Sequence, residues 1–358
     1  MSLSGTIDRR NFLRLSAAAA AATALAGCST AGAPSGTSSG APAAAHLVAK
    51  KDGPFTVGLS NSFAGNSWRT QMVAELQYAA DQRPNDVKKL IVTDANNSVD
   101  KQISQINDLL GVGIDILLID AASTTALNNV VKRAHDQGVL VASFDSPITS
   151  ENGIVVSYSN TEFGKIGGEW LAGKLKSGDT VFTLDGTSGV PVNTARIEAA
   201  TKALTAAGVK IVAHADTDWD QAKAQSAAAN LLSANPDVKG IYSQGGAITL
   251  GALLVLEQRN MPLLPIPSES YNGFLKKWQS LNASKGWESI SPAAPPSISV
   301  KSLDVAIQAL RGEDPGKEVA VKLDVITQEN LSEFVKPDLS DSLWLPTALP
   351  TDVIKKIF

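Results

Sequence analysis

The chain has 358 residues, 44% of them apolar, with a formal charge of −4, three histidines and one cysteine. That length exceeds one hydrophobic core and predicts two domains, and the apolar share excludes a disordered chain. The acidic balance disfavours nucleic acid as a partner, and a lone cysteine excludes an intrachain disulfide.

The chain opens on Asp8-Arg9-Arg10-Asn11-Phe12-Leu13-Arg14, a basic segment with paired arginines, followed by an apolar run over residues 15–27 that is too short to span a bilayer. The pattern resembles a twin-arginine export signal, assigned to residues 1–27. Its removal takes away three Arg and one Asp, leaving 28 basic against 34 acidic residues, a net charge of −6. Leu25-Ala26-Gly27-Cys28 resembles a bacterial lipobox, in which Cys28 is lipidated and becomes the first mature residue; the alternative is a generic signal peptide with a chance cysteine. Residues 29–45, STAGAPSGTSSGAPAAA, have the composition of a flexible tether, so residues 28–52 are read as a lipidated leash outside the cytoplasmic membrane, in the periplasm or at the cell surface.

From Pro54 onward, short apolar runs alternate with segments of helical period. FTVGLS precedes a helix from Ser67, LIVTDA one opened by Ser98, ILLID one from Thr124, and VLVASFD follows. Runs this continuously apolar predict parallel strands covered on both faces. After IVVSYSN the pattern begins again: a helix over 161–174, VFTLDG, a helix through Arg196 and Leu204, VKIVAHAD, a helix from Trp219, GIYSQGG, a helix from Ala247, LLPIPSE and a further helix. ESISP and the helix after it, 300–310, have no place at the end of this second sheet and are expected to return to the first domain, with another crossing near 319–324. The predicted class is α/β, two doubly wound parallel-sheet domains joined by a multi-strand hinge. One lobe comprises 53–158 plus 291–322 and the other 159–290 plus 323–358. Hinge strands are expected at 157–160, 289–292 and 319–324, and the tail, 338–358 with Trp344, is expected to pack across the back of a domain.

Ligands of doubly wound sheets bind outside the carboxyl ends of the strands. The polar residues there are Asn61, Asp94, Asp120, Asp145, Asn160, Asp185, Asp216, Gln244 and Glu269. Catalytic templates fit poorly. His46, His135 and His214 fall in the tether, a helix and a strand with no neighbour at metal-ligand spacing, and neither HExxH nor CxxC occurs. Gly168-Glu169-Trp170-Leu171-Ala172-Gly173-Lys174 approaches a phosphate loop, but Leu175 stands where a hydroxyl should bind magnesium and the segment has helical period. Gly111-Val112-Gly113 ends a helix and is a turn. Paired carboxylates could do acid–base work, with Asp145 and Glu269 as the candidate pair, but a binder would use the same two groups as hydrogen-bond partners. SNSFAGNSWR gathers two aromatics, two amides and an arginine just after the first strand.

The runs NSFAGNSWR, SFDSP, DGTSGVPVNTARIEA, DTDWDQAKAQ, NPDVKGIYSQGG and SESYNGFLKKW resemble the ribose-type (class I) periplasmic solute-binding proteins of ABC importers over nearly all of residues 54–325. The resemblance implies a receptor, not an enzyme, that closes two lobes around a sugar or sugar alcohol and delivers it to a membrane permease. It implies a monomer without cofactor or metal. Independently, a polyhydroxylated ligand offers an apolar face and a rim of donors and acceptors, which calls for aromatic plates and fork-shaped polar groups. Carried over by position, the ligand contacts are Asn61, Phe63, Trp68 and Arg69 from the first loop, Asp145 after the fourth strand, and Asn193, Arg196, Trp219, Gln244 and Glu269 from the second lobe. Phe63 and Trp68 also suit interdomain packing, Asn193 also suits a helix start, and Asp120 is read as binding the backbone amides near Ser123.

The chain departs from the ribose pattern at Gln244-Gly245-Gly246, where an Asn-Asp pair is expected, at Ser146, where an arginine often follows the aspartate, and at Pro292, in place of a late amide donor. These departures disfavour ribose itself. Another pentose or hexose, a sugar alcohol or a furanone-like signal remain open as ligands. Rival readings are a sensing subunit for a chemoreceptor or quorum signal, and a secreted carbohydrate-active enzyme. A repressor of the same fold is disfavoured because a tether stands where its DNA-binding helices would be.

Overall fold

The computed structural model describes residues 44–358. The export signal, Cys28 and residues 29–43 of the tether lie outside the described residues. The first lobe alternates strand and helix: β1 (Phe55–Asn61), α1 (Ser67–Asp81), β2 (Val87–Asp94), α2 (Val99–Val112), β3 (Ile116–Asp120), α3 (Asn128–Asp136), β4 (Leu140–Phe144) and β5 (Ile154–Tyr158). β3 and β4 are buried along their whole length, as strands with helices on both faces must be. Asn66 and Ser98 cap α1 and α2 by accepting from the amides of Arg69 and Lys101, and Gly113, at φ 81°, ends α2 in the left-handed region. α3 begins at Asn128 rather than at Thr124, because the Ser123 hydroxyl accepts from the Ala126 amide and makes a turn of the intervening residues.

The second lobe holds α4 (Asn160–Gly173), β6 (Thr180–Asp185), α5 (Pro191–Ala206), β7 (Lys210–Asp216), α6 (Gln221–Ala234), β8 (Gly240–Ser243), α7 (Gly246–Gln258) and α8 (Asn272–Lys285). Its parallel sheet has the order β7-β6-β8. LLPIPSE, expected as a further strand, is not one. Pro262, Pro265 and Pro267 have no amide to donate, and the segment gives β8 only the Pro265 carbonyl, which accepts from Ile241 at 3.2 Å.

The chain then runs through β9 (Ser291–Ala293), α9 (Ile298–Leu310), β10 (Glu318–Val321), β11 (Asp324–Ile326), α10 (Leu331–Phe334) and α11 (Thr351–Ile357). α9 packs on β4, β5 and α1, and β10 pairs in parallel with β5, completing a sheet of order β10-β5-β4-β3-β1-β2. β9 and β11 form a separate antiparallel ribbon, after which α10 packs on α8. The doubly wound architecture is thus the one expected, with the late return to the first sheet included.

Both ends of the described residues differ from expectation. His46, assigned to the tether, is buried and bonds Asp314 at 3.0 Å, while the Leu47 carbonyl lies 2.9 Å from His135 Nε2 and the Lys51 amide donates to Leu310. The chain is therefore docked on the first lobe several residues before position 53. The tail does not lie across the back of one domain. Asn272 donates to the Leu343 carbonyl and Leu345 to that of Ser270, fixing the tail to the second lobe, and Trp344 exchanges two hydrogen bonds with Gln71 on α1 of the first.

Glu75 lies under this tail, 2% exposed, accepting from Gln71 and Thr347 through Oε1 while Oε2 has no partner. Burial pushes its carboxyl up to about 6 against the lowering pull of those two bonds. A carboxyl raised on folding contributes stability that is complete below its ordinary value of 4.5 and is lost as pH rises through about 6. The difference is worth about 2 kcal/mol. Glu75→Gln keeps the acceptor and removes the titration. The free energy of unfolding of the variant, measured with denaturant at pH 4.5 and pH 7.5, is expected to fall by about 2 kcal/mol less than that of the parent over this interval; equal falls would contradict the assignment.

Candidate ligand-binding site

A cavity of about 260 Å³ opens between the two sheets, walled by Phe63, Trp68, Arg69 and Asp145 from the first lobe and Arg196, Trp219 and Glu269 from the second. Loop hydroxyls and amides, among them Asn66, Asn97, Thr187 and Ser188, complete the polar rim. Most of these residues lie in the loops and first helical turns that follow strand ends, where parallel sheets leave room for a ligand; Arg196 comes from α5, and Glu269 from the irregular segment before α8.

The first wall is set by the cap of α1. With Asn66 holding the Arg69 amide at 2.9 Å, the first helical turn aims Trp68 and Arg69 inward. The Trp68 indole donates to the Ala294 carbonyl at 2.9 Å, so its ring is fixed against the segment after β9. Arg69 Nη2 lies 3.2 Å from Asp145, and Nη1 pairs with Asp120. Burial lowers the Arg69 pKa, and Asp145 opposes the shift. Asp145 has φ 56°, a strained left-handed position for a non-glycine residue, which turns its carboxylate off the end of β4 into the cavity.

Asp120 is a correction. Its carboxylate does not bind amides near Ser123; the Ala122 amide is already held by Gln102 Oε1 at 2.9 Å, and Asp120, fully buried, serves Arg69. Phe63 lies across Gly65, where a Cβ would come within 2.0 Å of the phenyl ring.

The second wall rests on close helix packing. A Cβ at Gly164 of α4 would lie 2.1 Å from the Arg196 carbonyl, and one at Gly168 would lie 2.8 Å from Ala200 Cα, so these two glycines let α5 approach α4. The stretch that approached a phosphate loop in sequence is thus helix-packing surface. Arg196 stacks 3.7 Å over Phe163, donates to Asn160 (2.9 Å) and the Gln244 carbonyl (3.1 Å), and pairs with Glu269 at 3.1 Å. Burial pushes the Glu269 carboxyl up to about 7 against the lowering pull of Arg196. Asp218 and Trp219 both take positive φ, 52° and 53°, and the indole fills the space over two glycines: a Cβ would approach it to 2.2 Å at Gly186 and 2.9 Å at Gly245. The Gln244-Gly245-Gly246 departure therefore makes room for Trp219.

Three predicted site residues do not wall the cavity. Asn61 is spent on its own loop, donating to the Phe63 carbonyl at 2.7 Å. Asn193 accepts from the Gly186 amide at 2.8 Å and from the Gln244 amide side chain at 2.5 Å, so Asn193 and Gln244 brace the loop under Trp219. Trp344 lines the cavity and was missed. No sequence signal tied a tail residue to strand ends hundreds of positions earlier. His214, without a metal partner by sequence spacing, comes 3.6 Å from Asp185 on the neighbouring strand, and with Asp216 the three ligand atoms lie within 4.8 Å; His214 and Asp216 are exposed, and such groupings are common without an ion.

Residues 57–314 match the periplasmic binding protein domain, and residues 6–26 match the twin-arginine translocation signal sequence. The chain is 29% identical over 243 residues to the ribose import binding protein RbsB of Escherichia coli, covering 67% of this chain and 80% of that protein. It is 26% identical over 278 residues to the RbsB of Bacillus subtilis, covering 77% and 88%. Among solved structures, an ABC transporter solute binding protein from Thermobispora bispora superposes with a TM-score of 0.73 at 27% identity, covering 84% of this chain and 94% of that one. With the domain match spanning most of the chain and the cavity lying between its two lobes, this exported protein belongs to the periplasmic binding protein family.

Proposed function

We propose that the chain is an extracytoplasmic receptor that holds one small sugar or sugar alcohol between its lobes and delivers it to an ABC permease. The observation that carries this reading is the meeting, in one cavity of about 260 Å³, of two arginine–carboxylate pairs and three aromatic rings contributed by both lobes. The volume lies below the roughly 300–1,000 Å³ of sites for drug-sized molecules. The paired carboxylates Asp145 and Glu269 are acceptors for adjacent hydroxyls, the arginines are fork-shaped donors, and Phe63 and Trp219 offer faces for the C–H side of a ring. Because contacts come from both lobes, the ligand stabilises the closed arrangement by its differential affinity. Movement is assigned to the crossings between β5 and α4, at β9, and between β10 and β11. The site is complete within one chain, which suits a monomer. Cys28 is the lipid attachment point that keeps the receptor near its permease.

A thermal-shift screen of the mature protein against D-ribose, D-allose, L-arabinose, myo-inositol and glycerol tests the reading. A solute that binds only the folded state adds about 2.7 kcal/mol at a hundredfold excess over its dissociation constant. The expected result is a rise in Tm with one stereochemical class. No response to any carbohydrate or sugar alcohol would sink the proposal.

A further inference from the structure

Trp344 is 3% exposed and lines the cavity, yet it comes from a tail that follows both lobes in the chain. Its backbone forms an antiparallel bridge with Tyr271, flanked by the Asn272-to-Leu343 and Leu345-to-Ser270 hydrogen bonds of 2.8 and 2.9 Å. Ser270 is the residue after Glu269, so this pairing seats the tail directly beside the second wall. On the other side, Gln71 Oε1 accepts from the Trp344 amide at 2.8 Å and Gln71 Nε2 donates to its carbonyl at 2.9 Å. The indole Nε1 donates to Ser67 Oγ at 3.0 Å, and Ser67 precedes Trp68 of the first wall. The ring meets Tyr271 edge to face, centroids 5.2 Å apart at 61°. Trp344 is thus held beside a wall residue of each lobe, with its backbone amide and carbonyl and its ring nitrogen all satisfied.

We propose that Trp344 is a ligand-contacting, specificity-determining residue, so that the tail supplies a third wall and the size of ring that fits is set in part from outside the two lobes. The inference rests on the receptor reading above. A fixed indole at the junction of two walls cannot yield to a larger ligand as a mobile surface side chain would, because moving it breaks its hydrogen bond to Ser67 on one side and its edge-to-face contact with Tyr271 on the other. It therefore discriminates by exclusion as well as by stacking.

The test uses calorimetric titration of the mature protein and of Trp344→Ala, Trp344→Phe and Ser67→Ala with L-arabinose, D-ribose, D-allose and myo-inositol, with circular dichroism to establish folding. For the solutes that bind the parent, Trp344→Ala is expected to weaken affinity by about tenfold or more and to move the ratio of dissociation constants by about fivefold towards the larger rings. Trp344→Phe retains the edge-to-face packing and is expected to lose about threefold, as is Ser67→Ala, which removes only the anchor of the ring. Should Trp344→Ala fail to fold, the same shift in preference must appear in Trp344→Phe and Ser67→Ala. Unchanged affinities and unchanged order in folded variants, while the parent binds, would overturn the role of Trp344 alone. A parent that binds none of the four would overturn the receptor reading and this proposal with it.

Discussion

Arg69→Met is expected to destabilise the protein by about 3–5 kcal/mol and to remove ligand binding. Arg69 is buried between Asp120, which is fully buried, and Asp145, 3.2 Å away. Methionine preserves much of the volume but leaves two carboxylates facing each other without a cation. That cost exceeds the worth of the pair itself, because each charge has already been taken out of water. Denaturant unfolding of the parent and variant checks the magnitude. A second substitution, Asp120→Asn in the Arg69→Met background, is expected to recover part of the loss by removing one stranded charge. A loss under about 1 kcal/mol in the single variant would mean that the site is wetter than described, since exposed pairs are worth no more than that.

Gly164→Ala is expected to weaken ligand binding by about tenfold or more and to destabilise the fold by about 1–3 kcal/mol, although position 164 walls no cavity. The added Cβ would lie 2.1 Å from the Arg196 carbonyl, a backbone atom that moves only if α5 moves. Shifting α5 withdraws the Arg196 guanidinium from Glu269 at 3.1 Å and from the Gln244 carbonyl. Intrinsic helix propensity pulls the other way by about 1 kcal/mol, so the clash decides the sign. Gly111→Ala in α2 is the control. A Cβ there meets nothing within 4 Å, and the variant is expected to gain stability by about 0.5–1 kcal/mol without change in binding. Equal behaviour of the two variants in calorimetric titration would show that close α4–α5 packing does not position Arg196.

The first of these effects could be read in part from sequence and the second could not. Period and apolar runs define the strands, and the polar residue at a strand end marks Asp145, because parallel sheets gather their carboxyl ends on one edge; Glu269 reaches the same edge from a segment that has the apolar content of a strand without forming one. The same logic points to Asp120 but not to its partner: Arg69 lies on α1, and its pairing with β3 and β4 follows from strand order β4-β3-β1, which one sequence does not display. Gly168 reads as the start of a near match to a phosphate loop, and Gly164 draws no notice, until α5 is placed against them. Asn61 and Gln244 at strand ends and Asn193 at the start of α5 have the right chemistry, yet local bonds to the Phe63 carbonyl and the Gly186 amide, and between Asn193 and Gln244, already use them. LLPIPSE has the apolar content of a strand, and its two prolines, with Pro262 just before it, carry the contrary signal. Trp344 and His46 are placed by contacts with residues far away in sequence, Gln71 and Asp314, which local periodicity does not encode.

The central claim is that one polyhydroxylated solute is held between the lobes through the Asp145 and Glu269 carboxylates. Calorimetric titration of the parent and of Asp145→Asn with whichever sugar or sugar alcohol raises the Tm of the parent tests it most directly. Asparagine tolerates the left-handed backbone of position 145, so the change removes charge and leaves the turn. A charge-assisted hydrogen bond is worth about 1.5–3 kcal/mol, so the expected result is one solute per chain in the parent and an affinity about ten- to hundredfold weaker in Asp145→Asn. An unchanged dissociation constant in a folded Asp145→Asn protein would contradict the account.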